Sequence, residues 1–332
     1  MKLVVGLLIA LGIYSNAQSQ TSDSVIFAQS MQFMREGDYE NSALLLQRLH
    51  SANTANFDYI KQFAFVSYLR KDYAKGLELG KSLLANPKAD VNCFQIVANI
   101  HSALGDNKQV EKTLKKGLEK FPSSGLLLSE LGEYYALDGK PTQAVQLWEK
   151  GIAAEPRVAS NYFFAAQYYA QFNEPVKAMV YAETFINIEK LTERTTTARN
   201  ILLNAYKKVL VPVTDKTTGY TAEAGLYNAI GTQIQKNAYT TMQGITAATL
   251  HTLRTEFLQQ WVEGNLASKY GSVPVFSFWQ ELQKANLFEA YNQWVLGSSN
   301  AASYAAWVDK NKAVNDQFFK FYRNHIFKTS VK

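Results

Sequence analysis

Residues 128–156 read LSELGEYYALDGKPTQAVQLWEKGIAAEP. In the first half Leu128, Leu131 and Tyr135 fall three and four residues apart, the spacing that lines up one face of a helix. Gly139-Lys140 interrupts that pattern, and Ala144 and Trp148 then resume it four apart until Pro156 closes the stretch. Gly132 and Ala144 are small where two helices of a hairpin must approach, whereas Tyr135 and Trp148 are large enough to fill the space between hairpins. The unit is therefore a helix, a short turn and a second helix, with an apolar face that it cannot bury alone.

The same turn recurs on a fixed period. Gly37-Asp38, Lys71-Asp72, Gly105-Asp106, Gly139-Lys140 and Asn173-Glu174 each lie 34 residues after the last. The flanking positions repeat with it: Phe63-Ala64, Val97-Ala98 and Ala165-Ala166 stand for Leu131-Gly132, and Gly76, Val110 and Ala178 stand for Ala144. The first unit (Gln29-Ser30, Ser42, Leu46) is the most degenerate, and the fifth has Lys190 where a closing Pro is expected. On these residues the segment 22–190 resembles the tetratricopeptide repeat (TPR) family, with Leu128 where Trp is usual. The resemblance implies a solenoid of stacked helical hairpins whose first helices form the wall of a groove that holds a peptide or partner helix.

A further helical stretch, Thr192 to Leu210, reads as a cap on the last hairpin, so the solenoid is expected over 22–210. Residues 211–219 (VPVTDKTTG) then break all periodicity and read as a linker. From 220 to 332 helical stripes return without the 34-residue echo: Leu226, Ile230 and Ile234; Leu250, Leu253, Phe257 and Trp261; Phe288, Tyr291 and Val295; Val314, Phe318, Phe321 and Tyr322. The fold class expected is all-α, a TPR-type helical-hairpin solenoid followed by a second, aromatic-rich all-helical domain with its own core. The aromatics of 220–332 fit helix packing better than a sugar- or peptide-stacking surface, because they fall on these stripes.

Composition sets the boundaries of function. Of 332 residues 47% are hydrophobic and 19% charged, which suits a chain with a sizeable core. The net charge of +6 is spread along the chain with no Lys/Arg stripe, so no nucleic acid is expected as partner. Cys93 is the single cysteine and reads as a small buried apolar residue, so stability rests on packing rather than a disulfide. Met1-Lys2, the apolar run Leu3 to Tyr14 and Ser15-Asn16-Ala17 have the three parts of a signal peptide, assigned to 1–17 with cleavage near Ala17. That run is 12 residues, short of the roughly 20 needed to span hydrocarbon. No later run supplies a transmembrane segment. An exported protein is expected, periplasmic or secreted, and soluble after cleavage.

No cofactor, metal or catalytic site is expected. His50, His101, His251 and His325 are widely separated, and neither a phosphate-cradling Gly-rich loop nor a Gly-x-Ser-x-Gly elbow is present. The leading reading is an interaction scaffold or adaptor, not an enzyme, in a cell-envelope assembly with a protein or peptide partner. The alternative is a small-ligand-binding or enzymatic C-terminal domain docked by the repeats. Helical geometry assigns the groove to residues between the signature positions: Lys61, Phe65 and Tyr68; Gln95, Asn99 and Ser102; Ser129 and Glu133; Phe163 and Gln167. One TPR subclass clamps a terminal carboxylate with Lys, Asn and Arg on these helices. Lys61 and Asn99 fit that set, but Phe65 and Glu130 stand where its Asn residues would be, so the clamp is not intact.

Overall fold

Each 34-spaced turn is closed in the same way. Gly37, Lys71, Gly105, Gly139 and Asn173 all take positive φ, between 58° and 81°. The following amide then reaches back over the helix end: Asp38 to the Phe33 carbonyl, Asp72 to Ser67, Asp106 to His101, Lys140 to Tyr135 and Glu174 to Tyr169, at 2.8–2.9 Å. This bond satisfies a carbonyl that the helix end would otherwise orphan. The side chains of Asp38, Asp72 and Asp106 next accept the amides of Asn41, Lys75 and Gln109 and so start the second helix. In the last two hairpins Pro141 and Pro175 open that helix instead, at a position where a missing N–H costs nothing.

The computed structural model describes residues 23–211, 225–297 and 300–330. Among these, all regular structure is helical. The signal-peptide assignment, 1–17, lies outside the described residues, as does all of the expected linker after Val211. Contacts divide the chain into two compact units between Tyr134 and Tyr135.

The first unit holds α1 (23–35), α2 (Tyr39–Ala52), α3 (Phe57–Leu69), α4 (Tyr73–Ala85), α5 (Val91–Ala103), α6 (Asn107–Lys120) and most of α7 (Gly125–Leu137). Helices adjacent in sequence pair from α2 through α6, and α3 also packs on α5, so the first helices of neighbouring hairpins touch. Close approach between hairpins needs the glycines of α4. A Cβ on Gly76 or Gly80 would stand 2.7 Å from Ile100 Cδ1 or Val97 Cγ2 of α5. The repeated small positions, Ser30, Ala64, Ala98 and Gly132, are all buried. Cys93 is also buried, with its thiol pushed up to about 11 by desolvation.

The second unit continues with α8 (Pro141–Ala154), α9 (Ala159–Gln171), α10 (Pro175–Ile188) and α11 (Glu193–Val209). Beyond residues 212–224 come α12 (Leu226–Lys236), a 3-10 turn (Ala238–Thr241), α13 (Ala247–Glu263), α14 (Leu266–Tyr270), α15 (Pro274–Lys284), α16 (Phe288–Leu296), α17 (Ala301–Lys310) and α18 (Lys312–Asn324). The boundary expected at 211–219 is not where the contacts divide: one apolar core runs from Ala144 to Phe327. Helix α10 explains this. It is buried on nearly every side, with Val176, Met179, Val180, Phe185 and Ile186 all inside. Its hairpin partners α9 and α11 cover part of that surface, and α12 and α15 cover more. The C-terminal aromatics pack inward as expected: Trp261, Trp279 and Trp294 are buried among Phe257, Phe276, Phe318 and Tyr322.

At the centre of this core sits an ion pair. Glu183 of α10 and Arg254 of α13 are 1% and 0% exposed and bonded to one another. Trp279 Nε1 and the Tyr291 hydroxyl donate to Glu183 Oε1 at 2.8 and 2.7 Å. Arg254 donates from Nε to the Tyr206 hydroxyl at 2.9 Å and from Nη1 to Asn292, and its guanidinium lies 4.3 Å from the Trp279 ring centre. Five helices, α10, α11, α13, α15 and α16, thus converge on two charges, with each of the three Arg254 nitrogens and both Glu183 oxygens hydrogen-bonded. Arg254→Met should lower stability by about 3–5 kcal/mol in urea unfolding, because it leaves the Glu183 carboxylate buried without its counter-charge. A loss below about 1 kcal/mol would mean that the carboxylate is not held in a desolvated site.

Candidate functional site

Four of the ten groove residues come together. Lys61 and Phe65 of α3 and Gln95 and Asn99 of α5 line one recess of about 280 Å³, with Gln62, Asn92 and Ile96 completing it. The grouping follows from α3 packing on α5: residues four apart on each helix share a face, and the two faces lie side by side. Half-buried Phe65 gives the recess apolar surface, while Asn92 and Asn99 are exposed. Gln62, Asn92 and Ile96 escaped the sequence reading, although each lies next to a residue that it named or one helical turn from one.

The two polar anchors of the recess are already engaged. Lys61 Nζ meets Asp90 Oδ2 at 2.5 Å, so its charge is matched within the fold. Burial pushes the Asp90 carboxyl up, but the Lys61 ammonium and the Cys93 amide and thiol outweigh that and hold it below the usual carboxylate range. Gln95 donates its amide to Glu130 Oε1 of α7 at 2.6 Å. The other oxygen of Glu130, Oε2, is buried without a hydrogen-bond partner. Burial pushes the Glu130 carboxyl up to about 7, with Glu133 adding to the rise and Gln95 opposing it.

The remaining expected residues do not join this recess. Tyr68 is half-buried against Tyr73, their ring centres 6.4 Å apart, and Ser102 and Glu133 are exposed. Ser129 and Phe163 are corrections, because both are buried, at 3% and 7% exposure. Phe163 packs between Phe164 and Phe185, with the Arg194 guanidinium 5.2 Å from its ring centre. Counting between signature positions put it on the groove face. In the second unit α11 and the C-terminal helices enlarge the core, so more of each helix is covered than in a free hairpin. Gln167 is exposed.

With turn, cap and small buried positions all repeating at 34 residues, this segment is TPR-like. No family model matches the sequence, and no curated protein matches it. Solved structures similar to the chain include pilF of Pseudomonas aeruginosa, at 14% identity and TM-score 0.47, covering 57% of this chain and 91% of that one. A thermophilic TPR protein of Thermus thermophilus matches at 17% identity and TM-score 0.43, over 57% of this chain and 100% of the other. MamA (residues 41 to the end) from Desulfovibrio magneticus RS-1 matches at 13% and 0.40, over 50% and 92%. Among the described residues there is no cluster of His, Cys, Asp or Glu that could hold a metal, and no helix long and apolar enough to cross a membrane.

The raised Glu130 carboxyl makes a prediction with a definite sign. Its folded value lies above its unfolded value, so the native state holds a proton that the unfolded state has released. The stabilisation is complete below about pH 4.5 and is lost as pH rises through about 7. Between pH 5 and pH 8 the wild-type chain should therefore lose about 1–3 kcal/mol more stability than Glu130→Gln, which carries no titrating proton. Denaturant titrations of both proteins at the two pH values check this. Parallel curves would show that Glu130 ionises freely in the fold.

Proposed function

We propose that the chain is an interaction scaffold that captures a protein or peptide segment at the recess between α3 and α5. The observation that carries this reading is the recess itself. It sets the half-buried Phe65 among the carboxamides of Gln62, Asn92 and Asn99. Carboxamides both donate and accept, so they can bond the exposed backbone of an extended segment, while Phe65 packs on one of its apolar side chains. Lys61 is matched by Asp90, so a neutral backbone suits the recess better than a terminal carboxylate. The pattern Met1 to Ala17 supports export of this scaffold, and with it a role in a cell-envelope assembly.

The test is a random peptide library selected on the full chain. Enriched peptides should bind Phe65→Ala/Asn99→Ala about thirtyfold more weakly, a cost of about 2 kcal/mol typical of an anchor residue. Gln167→Ala, an exposed substitution outside the recess, should bind them as the wild type does. Equal binding by the folded double variant would remove the recess from the account.

A further inference from the structure

The second unit carries a larger recess that the scaffold reading does not use. It measures about 570 Å³ and is lined by Arg157, the first turn of α15 (Pro274, Ser277, Phe278), Glu281 and the segment after α18. That segment contributes His325, Lys328, Thr329 and Ser330. The volume falls in the range of small-molecule pockets, about 300–1,000 Å³.

Its charges are unbalanced in one direction. Among the described residues Glu281 is the only acid in the lining, and it is shared between His325 Nε2 at 3.3 Å and Lys328 Nζ at 3.8 Å. Arg157 is exposed and makes no hydrogen bond or ion pair among the described residues. Behind the lining, the Lys190 ammonium bonds the carbonyls of Tyr322 and His325 rather than a carboxylate, and so adds a positive charge to the same wall. Burial lowers His325, and Lys190 and Lys328 lower it further against the pull of Glu281, so its ring adds little charge at neutral pH. Arg157, Lys328 and Lys190 against Glu281 leave two positive charges in excess. The rest of the lining is suited to an organic body: Pro274 is apolar, and the Ser277, Thr329 and Ser330 hydroxyls offer donors. The Phe278 ring belongs to the core behind the recess, 3% exposed and with the His325 and Tyr291 ring centres 5.0 and 5.6 Å away.

We propose that this recess binds a small organic anion, with a carboxylate or phosphate headgroup between Arg157 and Lys328 and an apolar ring or chain against Pro274. Arg157 supplies a fork of donors for two oxygens of such a headgroup, and Lys328 exchanges its long contact with Glu281 for a closer one. Glu281 sets the limit on affinity, since it competes for the same ammonium and repels the ligand.

Phenyl phosphate and benzoate are the two probes, titrated calorimetrically into the full chain, with benzyl alcohol as the neutral control. At least one anion should bind saturably at one site, and the stronger of the two identifies the headgroup class. Arg157→Gln/Lys328→Gln should weaken that binding at least tenfold. Both side chains are exposed, so the double variant should keep its fold. Glu281→Gln should bind about threefold more tightly than wild type, the opposite of what loss of a structural contact would give. No saturable binding of either anion, equal binding of benzyl alcohol, or undiminished binding by the double variant would overturn the proposal.

Discussion

Everything in the second unit depends on burying Glu183 and Arg254 together. Two ions without water are costly unless every lone pair and proton finds a partner. Here every nitrogen of Arg254 and both oxygens of Glu183 are bonded, to each other and to Trp279, Tyr291, Tyr206 and Asn292, on helices far apart in sequence. A shift of any of these helices by one residue would orphan a buried charge. The pair therefore fixes register as much as it contributes energy, and it ties the last hairpin to the helices beyond residue 225. Neighbouring bonds extend the same joint: Tyr322 donates its hydroxyl to the Ile186 carbonyl at 2.7 Å, and Arg199 reaches the Trp294 carbonyl.

The first unit is held together differently. Among its described residues there is no comparable buried ion pair, and its order comes from one local device used repeatedly, a left-handed turn residue followed by a capped helix. Such turns fix the angle between helices with few residues and leave the outer faces free. That freedom is what allows α3 and α5 to present Phe65 and a group of carboxamides in a recess instead of a closed core.

The legibility of the sequence follows the same division. The hairpins could be read because their constraints are local and periodic: a turn needing positive φ every 34 residues, with small residues where helices cross. That Lys61, Phe65, Gln95 and Asn99 share one recess follows from the same local geometry, since residues four apart on α3 and on α5 lie on one face. Ser129 and Phe163 were not, because their burial depends on which helices cover them. That one apolar core includes residues on both sides of the expected linker was not legible for a related reason. A Pro, a Gly and a polar run mark an interruption of secondary structure, and tertiary contacts can bridge such an interruption. A signal was nevertheless present. Glu183 interrupts the apolar run of α10, and Arg254 stands on the stripe of Leu250, Phe257 and Trp261; opposite charges on two apolar stripes point to one another.

The central claim is that the last hairpins and the C-terminal helices form one cooperative body. Native-state hydrogen exchange on the full chain measures it directly, because amides that open together share one opening free energy and one dependence on denaturant. The account predicts that amides of α10, α13, α15 and α16 exchange through a single shared opening. A separate, lower-energy opening of residues 225–330, with α8 to α11 still protected, would contradict it.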